Sequence, residues 1–363
     1  MSNEKKMKKI ISICIILSMI LSFSACNSKQ TNTQEKSADA LQASTEEKST
    51  NENVDSLATS VEEESVGENL SNAHSVDSPE TSDKDELDEI IEKVRAELEE
   101  NEYTPYPATF SQVTYKMLPN DSFGEGNGCT PLTRVIIEEG DIKRKGKLGL
   151  SFDCAYVLDN LVPLLTILDA YDLKATFFGT QEFVKNNPDA VPLILSHGHE
   201  FGSHSTTHAH FNDLTDEEVV REMLTNEVFV KKVYGLDMCL FRYPYGEANP
   251  HNMNIMRRLG YYPINWAFDS LDWKNEGTQA ILNRVVAHNF TEGEVLLFHV
   301  SGNYTPEALP VIIEYVHNLG LEFTKLSDLI YTENFTANWG NQRTLVPVVN
   351  EAIGEILESP ALQ

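Results

Sequence analysis

From Lys147 to about residue 330 the sequence repeats one alternation. Short apolar runs ending in polar residues, "KLGLSFD", "KATFFGT", "EFGSHS", "MCLFRYP", "YPINWAFD", "EVLLFHV" and "LEFTKL", are separated by amphipathic stretches such as "DNLVPLLTILDAY", "DEEVVREMLTNEVFVKKVYG" and "PEALPVIIEYVHNLG". The short runs have the length and composition of strands, and the stretches between them repeat apolar residues at helical spacing. Strands that alternate with helices pair in parallel, because each helix carries the chain back before the next strand begins. About seven such strands predict an α/β fold, a closed or nearly closed barrel. An open doubly wound sheet is the alternative. An apolar content of 41% suffices for the core.

The rest of the chain is built differently. Residues 1–26 have a basic start, "KKMKK", an apolar stretch from Ile10 to Phe23, and small residues before Cys26. About fourteen apolar-rich residues are too few to span a bilayer, which needs roughly 20. The stretch reads as an export leader. "LSFSAC" resembles a bacterial lipoprotein cleavage box with Cys26 as the lipidated residue. An ordinary secretory signal or an uncleaved anchor is the alternative. Lipidation predicts an exported protein anchored to the outer face of the cell membrane.

Residues 27–82 are rich in Ser, Thr, Asn, Gln and Glu, and read as a disordered acidic tether with an r.m.s. reach of roughly 40 Å. Residues 83–145 hold a short helix, with Leu87, Ile90, Ile91 and Val94 at helical spacing, and a mixed segment. The repeating domain is expected over 146–332 and a tail over 333–363.

The formal charge of −28, roughly half of it in residues 27–100, argues against nucleic acid or an anionic membrane surface as a direct partner. Of five cysteines, Cys14 leaves with the leader and Cys26 is assigned to lipid. Cys129, Cys154 and Cys239 remain, an odd number that leaves at least one without an intramolecular disulfide partner.

Five polar clusters fall at the ends of five predicted strands: "FDC" (152–154), "HSTTH" (204–208), "RYPYG" (242–246), "DSLDW" (269–273) and "LFH" (297–299). In an α/β barrel such ends gather on one face, where active sites lie. His204 and His208, four apart, could aim two imidazoles at one ion such as zinc, although such a pair is often structural or merely exposed. His197, His199 and His210 lack that setting and are read as surface or supporting residues.

The clusters, in this order and spacing, resemble the polysaccharide deacetylases of the NodB-homology type over roughly residues 145–332. The resemblance implies a distorted barrel and metal-dependent removal of acetyl groups from a glycan. Asp153 matches the family's general base. Cys154 stands where a second aspartate would bind the metal, and Ala155 replaces the usual glycine. Tyr156 is similar to a tyrosine of the muramic-lactam-forming deacetylases.

Thiolate binds zinc well, so a Cys154, His204, His208 set is chemically sound. The other readings are a metal held by the histidines alone, or a buried cysteine in an inactive binding domain. Arg242 matches the residue that orients and ionises the base. By resemblance, the backbone N–H of Tyr245 stabilises the oxyanion. His299, oriented by Asp272, would protonate the leaving amine. Trp273 and Leu297 would wall the acetyl and sugar pocket, with Asp269 in support.

The expected function is zinc-dependent hydrolysis of N-acetyl groups on cell-wall peptidoglycan or a related polysaccharide, the peptidoglycan choice resting on the anchor and tether. Alternatives are an O-acetyl xylan or chitooligosaccharide deacetylase, a catalytically impaired wall-binding lipoprotein, and a redox-switched enzyme.

Overall fold

The computed structural model describes residues 80–108, 110–112, 134–135, 141–330, 335–338 and 344–347. The leader, Cys26, nearly all of the tether, Cys129 and the "VVNEAIGEILES" segment lie outside the described residues.

Helix α1 (Glu80–Glu99) comes first, followed by the two-residue strand β1 (Arg134–Val135). The repeating unit then runs β2 (Lys147–Cys154), α2 (Leu161–Ala170), β3 (Thr176–Gly179), α3 (Gln181–Asn186), α4 (Ala190–Ser196), β4 (Glu200–Ser203), α5 (Asp216–Tyr234) and β5 (Leu240–Phe241). It continues through α6 (Pro250–Leu259), β6 (Tyr262–Pro263), β7 (Phe268–Asp269), α7 (Thr278–Ala287), β8 (Val295–His299), α8 (Thr305–Asn318), β9 (Glu322–Thr324) and α9 (Leu326–Leu329). Strands β10 (Phe335–Asn338) and β11 (Thr344–Pro347) pair with each other, and β11 also pairs with β1.

The main sheet is parallel throughout, in the order β6-β5-β4-β3-β2-β8-β7, with β9 on the first residues of β2. This is the expected distorted barrel, with one refinement. "YPINWAFD" forms two short strands rather than one. Its first part joins β5, where the Ile264 N–H donates to Phe241 O at 2.7 Å, and its second joins β8, where the Ala267 N–H donates to Val295 O at 2.8 Å. The segment therefore crosses from one sheet edge to the other and closes the barrel covalently. Among the described residues β6 and β7 do not pair.

Side chains alternate across β2 and divide the core in two. Leu150 and Phe152 lie on its outer face, where the Phe152 ring meets Phe177 at 5.1 Å and Phe298 at 5.9 Å. Fully burying rings of this size contributes about 1.5–3 kcal/mol each. Ser151 and Asp153 point to the opposite, inner side, where both meet Arg242.

Helix α5 begins in a reciprocal capping box between Thr215 and Glu218 and ends at Gly235, whose φ of 69° suits a residue without a side chain. The acidic "DKDELDEIIEKVRAELEE" helix starts at Glu80 and docks on α5, with Val94 and Leu87 buried in the common core. Beyond it, Tyr103 meets Phe229 edge-on at 5.0 Å. The surrounding pairs, Lys93 with Glu217 and Glu97 with Arg221, are largely exposed and add little. Apolar burial holds this helix in place.

Candidate active site

Parallel register brings the polar strand ends together. Asp153 lies beside His299 on β8 and beside Phe178 on β3. Arg242, fully buried just past β5, donates to Asp153 Oδ1 at 2.8 Å and to Ser151 Oγ at 2.9 Å. It also donates to the carbonyls of Ile264 and Asn265, in the segment that bridges the barrel edges. Phe178 stacks under the guanidinium at 4.4 Å. Burial alone would raise the Asp153 carboxyl, but the charge of Arg242, aided by His204, His299 and the Arg242 hydrogen bond, holds it below the ordinary value. The group is an ionised, oriented carboxylate.

His204 and His208 lie on the loop after β4, with rings 4.8 Å apart. The loop takes left-handed backbone at Ser205 and His208, with φ of 71° and 64°. Helix α5 holds that shape. Glu222 accepts from the backbone N–H groups of Thr206 and Thr207, and Asn226 donates to Ser205 O. His204 Nδ1–H donates to Arg242 O at 2.9 Å, so the neutral ring turns a lone pair on Nε2 toward Asp153 Oδ2, 3.5 Å away. Burial lowers both imidazoles, His208 to about 4. The lone pair on His204 Nε2 and a buried His208 Nδ1 without a hydrogen-bond partner among the described residues are two donors that a cation could use. The imidazole pair fits a divalent metal.

Cys154 does not join that pair. It is 1% exposed, belongs to the hydrophobic cluster and shares the outer face of β2 with Phe152. Among the described residues no group of three His, Cys, Asp or Glu is arranged to hold a metal. The expected Cys154, His204, His208 ligand set is therefore corrected. Burial, with the neighbouring Asp153 charge, pushes the thiol well up.

On the other side, Asp272 accepts from His299 Nδ1 at 2.7 Å, from the His299 backbone N–H at 2.9 Å and from Thr305 Oγ1 at 2.5 Å. Burial would lower His299, but the Asp272 hydrogen bond and charge, with Asp153 and Asp269, raise it. The missing Cβ of Gly302 makes room for this cluster, since one built there would lie 2.2 Å from Thr305 Oγ1.

Leu297 is buried on the His299 face of β8, and Trp273 is half exposed beside Asp272. Tyr245, in the Pro244–Gly246 turn, has φ of 57° and an exposed ring. Asp269 accepts from the Leu271 N–H and so shapes the separate loop that leads to Asp272. His210 stacks on Tyr245 at 4.0 Å, while His197 and His199 lie away from these groups, around α4 and β4. Nothing in the sequence marks Thr305, Glu222 or Asn226 as part of the site. Ser151 leaves one trace there, by sharing the parity of Asp153.

A barrel whose strand tips carry an ionised carboxylate, two neutral imidazoles and a carboxylate-paired histidine has the makings of a hydrolase site. The sequence profile of polysaccharide deacetylases matches residues 140–264. A peptidoglycan-N-acetylglucosamine deacetylase of Bacillus cereus is 32% identical over 172 residues, 46% of this chain and 80% of that protein. The peptidoglycan-N-acetylmuramic acid deacetylase PdaA of Bacillus subtilis is 27% identical over 198 residues, 53% of this chain and 74% of its own. The crystal structure of a CE4 family pseudoenzyme from Bacillus anthracis superposes with a TM-score of 0.50 at 26% identity, covering 52% of this chain and 67% of that one. The chain belongs to the polysaccharide deacetylase family, hydrolases of carbon–nitrogen bonds outside peptides.

Proposed function

We propose that this polysaccharide deacetylase removes N-acetyl groups from the amino sugars of cell-wall peptidoglycan, from an exported position anchored through a lipid on Cys26. The observation that carries the reading is the pairing of Asp153 with Arg242 on one strand tip and of His299 with Asp272 on the neighbouring one. The named relatives acting on peptidoglycan support the substrate class.

Asp153, kept ionised by Arg242, takes the proton of the attacking water. The Tyr245 N–H donates to the oxyanion that forms on the acetyl oxygen. His299, raised by Asp272, holds the proton that the leaving amine requires. Leu297 and Trp273 exclude water around the acetyl methyl group. A divalent metal, zinc in this reading, would be held by His204 and His208 and would supply Lewis-acid polarisation of the carbonyl.

The test is acetate release from purified peptidoglycan fragments by the mature protein, with and without added zinc. Release that depends on Asp153 and His299 supports the proposal. Glycan binding without any release, in metal-loaded protein, overturns it in favour of a binder whose buried Cys154 marks a lost reaction. Retained membrane association in a Cys26→Ala protein would refute the lipid anchor.

A further inference from the structure

Tyr245 holds a backbone shape that a tyrosine does not favour. Its φ of 57° and ψ of 5° lie in the left-handed region, where Cβ crowds the following carbonyl oxygen. Such a residue persists only where its surroundings over-determine it. The ring is 53% exposed, so core packing does not supply that constraint. The turn closes its own backbone, with the Gly246 N–H donating to Tyr243 O and the Glu247 N–H to Pro244 O, and Asn265 Nδ2 donates to Gly246 O. None of these bonds reaches the Tyr245 ring.

Two histidines do. His208 meets it edge-on at 4.6 Å, and His210 lies against it at 4.0 Å with the rings 6° from parallel. His210 is itself held. Its Nδ1–H donates to the Glu247 carboxylate, 3.1 Å from each oxygen. Its backbone O accepts from the Asp213 N–H, and the adjoining Phe211 is buried against Phe241 at 5.5 Å and Tyr243 at 5.4 Å. One residue further, Asn212 Oδ1 accepts from Asn249 Nδ2 at 2.9 Å. Residues 210–212 are thus zipped to residues 241–249, and the carboxylate two residues beyond Tyr245 returns to the histidine stacked on it. The seam joins the imidazole-bearing loop after β4 to the turn after β5.

We infer that His210 is a positioning residue for the reaction: backed by Glu247, its ring clamps Tyr245 in the left-handed shape that fixes the direction of the Tyr245 N–H. The inference rests on the proposed deacetylation for the duty of that N–H as oxyanion donor. Such a donor works by being aimed before charge develops on the oxygen. A turn free to relax gives up part of that benefit in the transition state and little of it in substrate binding.

The experiment has two readouts. In acetate release, His210→Ala should lower kcat about tenfold, part of the roughly 10²–10³-fold that losing one such donor costs. KM should hold within about twofold. His210→Phe keeps a ring on Tyr245 and should restore most of the rate, and Glu247→Gln should lose less than His210→Ala. Independently of turnover, in the mature protein carrying 15N-tyrosine, the Tyr245 amide order parameter should fall from about 0.85 to below about 0.6 in His210→Ala and recover in His210→Phe. A rise in KM at unchanged kcat makes His210 a substrate contact and overturns the inference. A Tyr245 amide equally ordered in every variant, or a phenylalanine that rescues nothing, overturns it too. If the wild type releases no acetate, the deacetylase reading fails, and the order parameters alone decide whether His210 holds the turn. Acetate release that His210→Ala leaves unchanged overturns this inference and leaves that reading intact.

Discussion

Asp153 and Cys154 are adjacent in β2 and live in different media. Asp153 faces inward, to the guanidinium of Arg242 and the imidazole of His204. Cys154 faces outward with Phe152, in the apolar layer. Residue type at a strand tip is thus selected by the layer it meets. A thiol is a small hydrophobe in that outer layer, and it need not take over the function of a carboxylate one residue away.

The largest break in this contrast comes from the inner face. Arg242→Met would leave a buried carboxylate unpaired, at a cost of about 3–5 kcal/mol in denaturant unfolding, and acetate release should fall with it. Asp153→Asn keeps the shape and removes the proposed base, so kcat should drop about 10²–10⁴-fold. The buried Arg242 charge left without its carboxylate should also cost about 3–5 kcal/mol in denaturant unfolding.

Asp272→Asn sharpens the view of the acid side. His299 is raised above its ordinary 6.5 by a partner that the substitution neutralises, so the alkaline limb of the pH–rate profile should move to lower pH. The stability contributed by charged His299 is fully present below the unfolded value and lost as pH rises through the raised folded one. The variant should lose that window in pH-dependent melts.

The outer face yields smaller effects. Cys154→Ser buries a hydroxyl among rings and should cost about 1–3 kcal/mol, while Cys154→Ala should cost about 1 kcal/mol. Zinc affinity, read by competition with a chelator, should stay within about threefold in the alanine variant, since disturbing even the support of a ligand costs about 10–100-fold.

Much of this was legible in the sequence. The alternation of strand and helix predicted the barrel, and the polarity of the run ends located Asp153, His204, Arg242, Asp272 and His299 at one mouth. Three things were hidden. The apolar continuity of "YPINWAFD" masked its passage from one sheet edge to the other, because each half is equally strand-like. Cys154 is read as a ligand by position alone, since sequence does not reveal which layer the last residue of a strand will meet. Glu222 and Asn226 look like ordinary helix residues, and their grip on the histidine loop emerges only when α5 packs beneath it.

The docking of α1 on α5 has a mechanical corollary. Tension entering the chain at Glu80 is delivered through Val94 and Leu87 to the same helix whose far face grips the histidine loop through Glu222 and Asn226. A pull on α1 is thus borne by the framework that shapes the reactive centre. That seam makes α1 part of the machine's mounting.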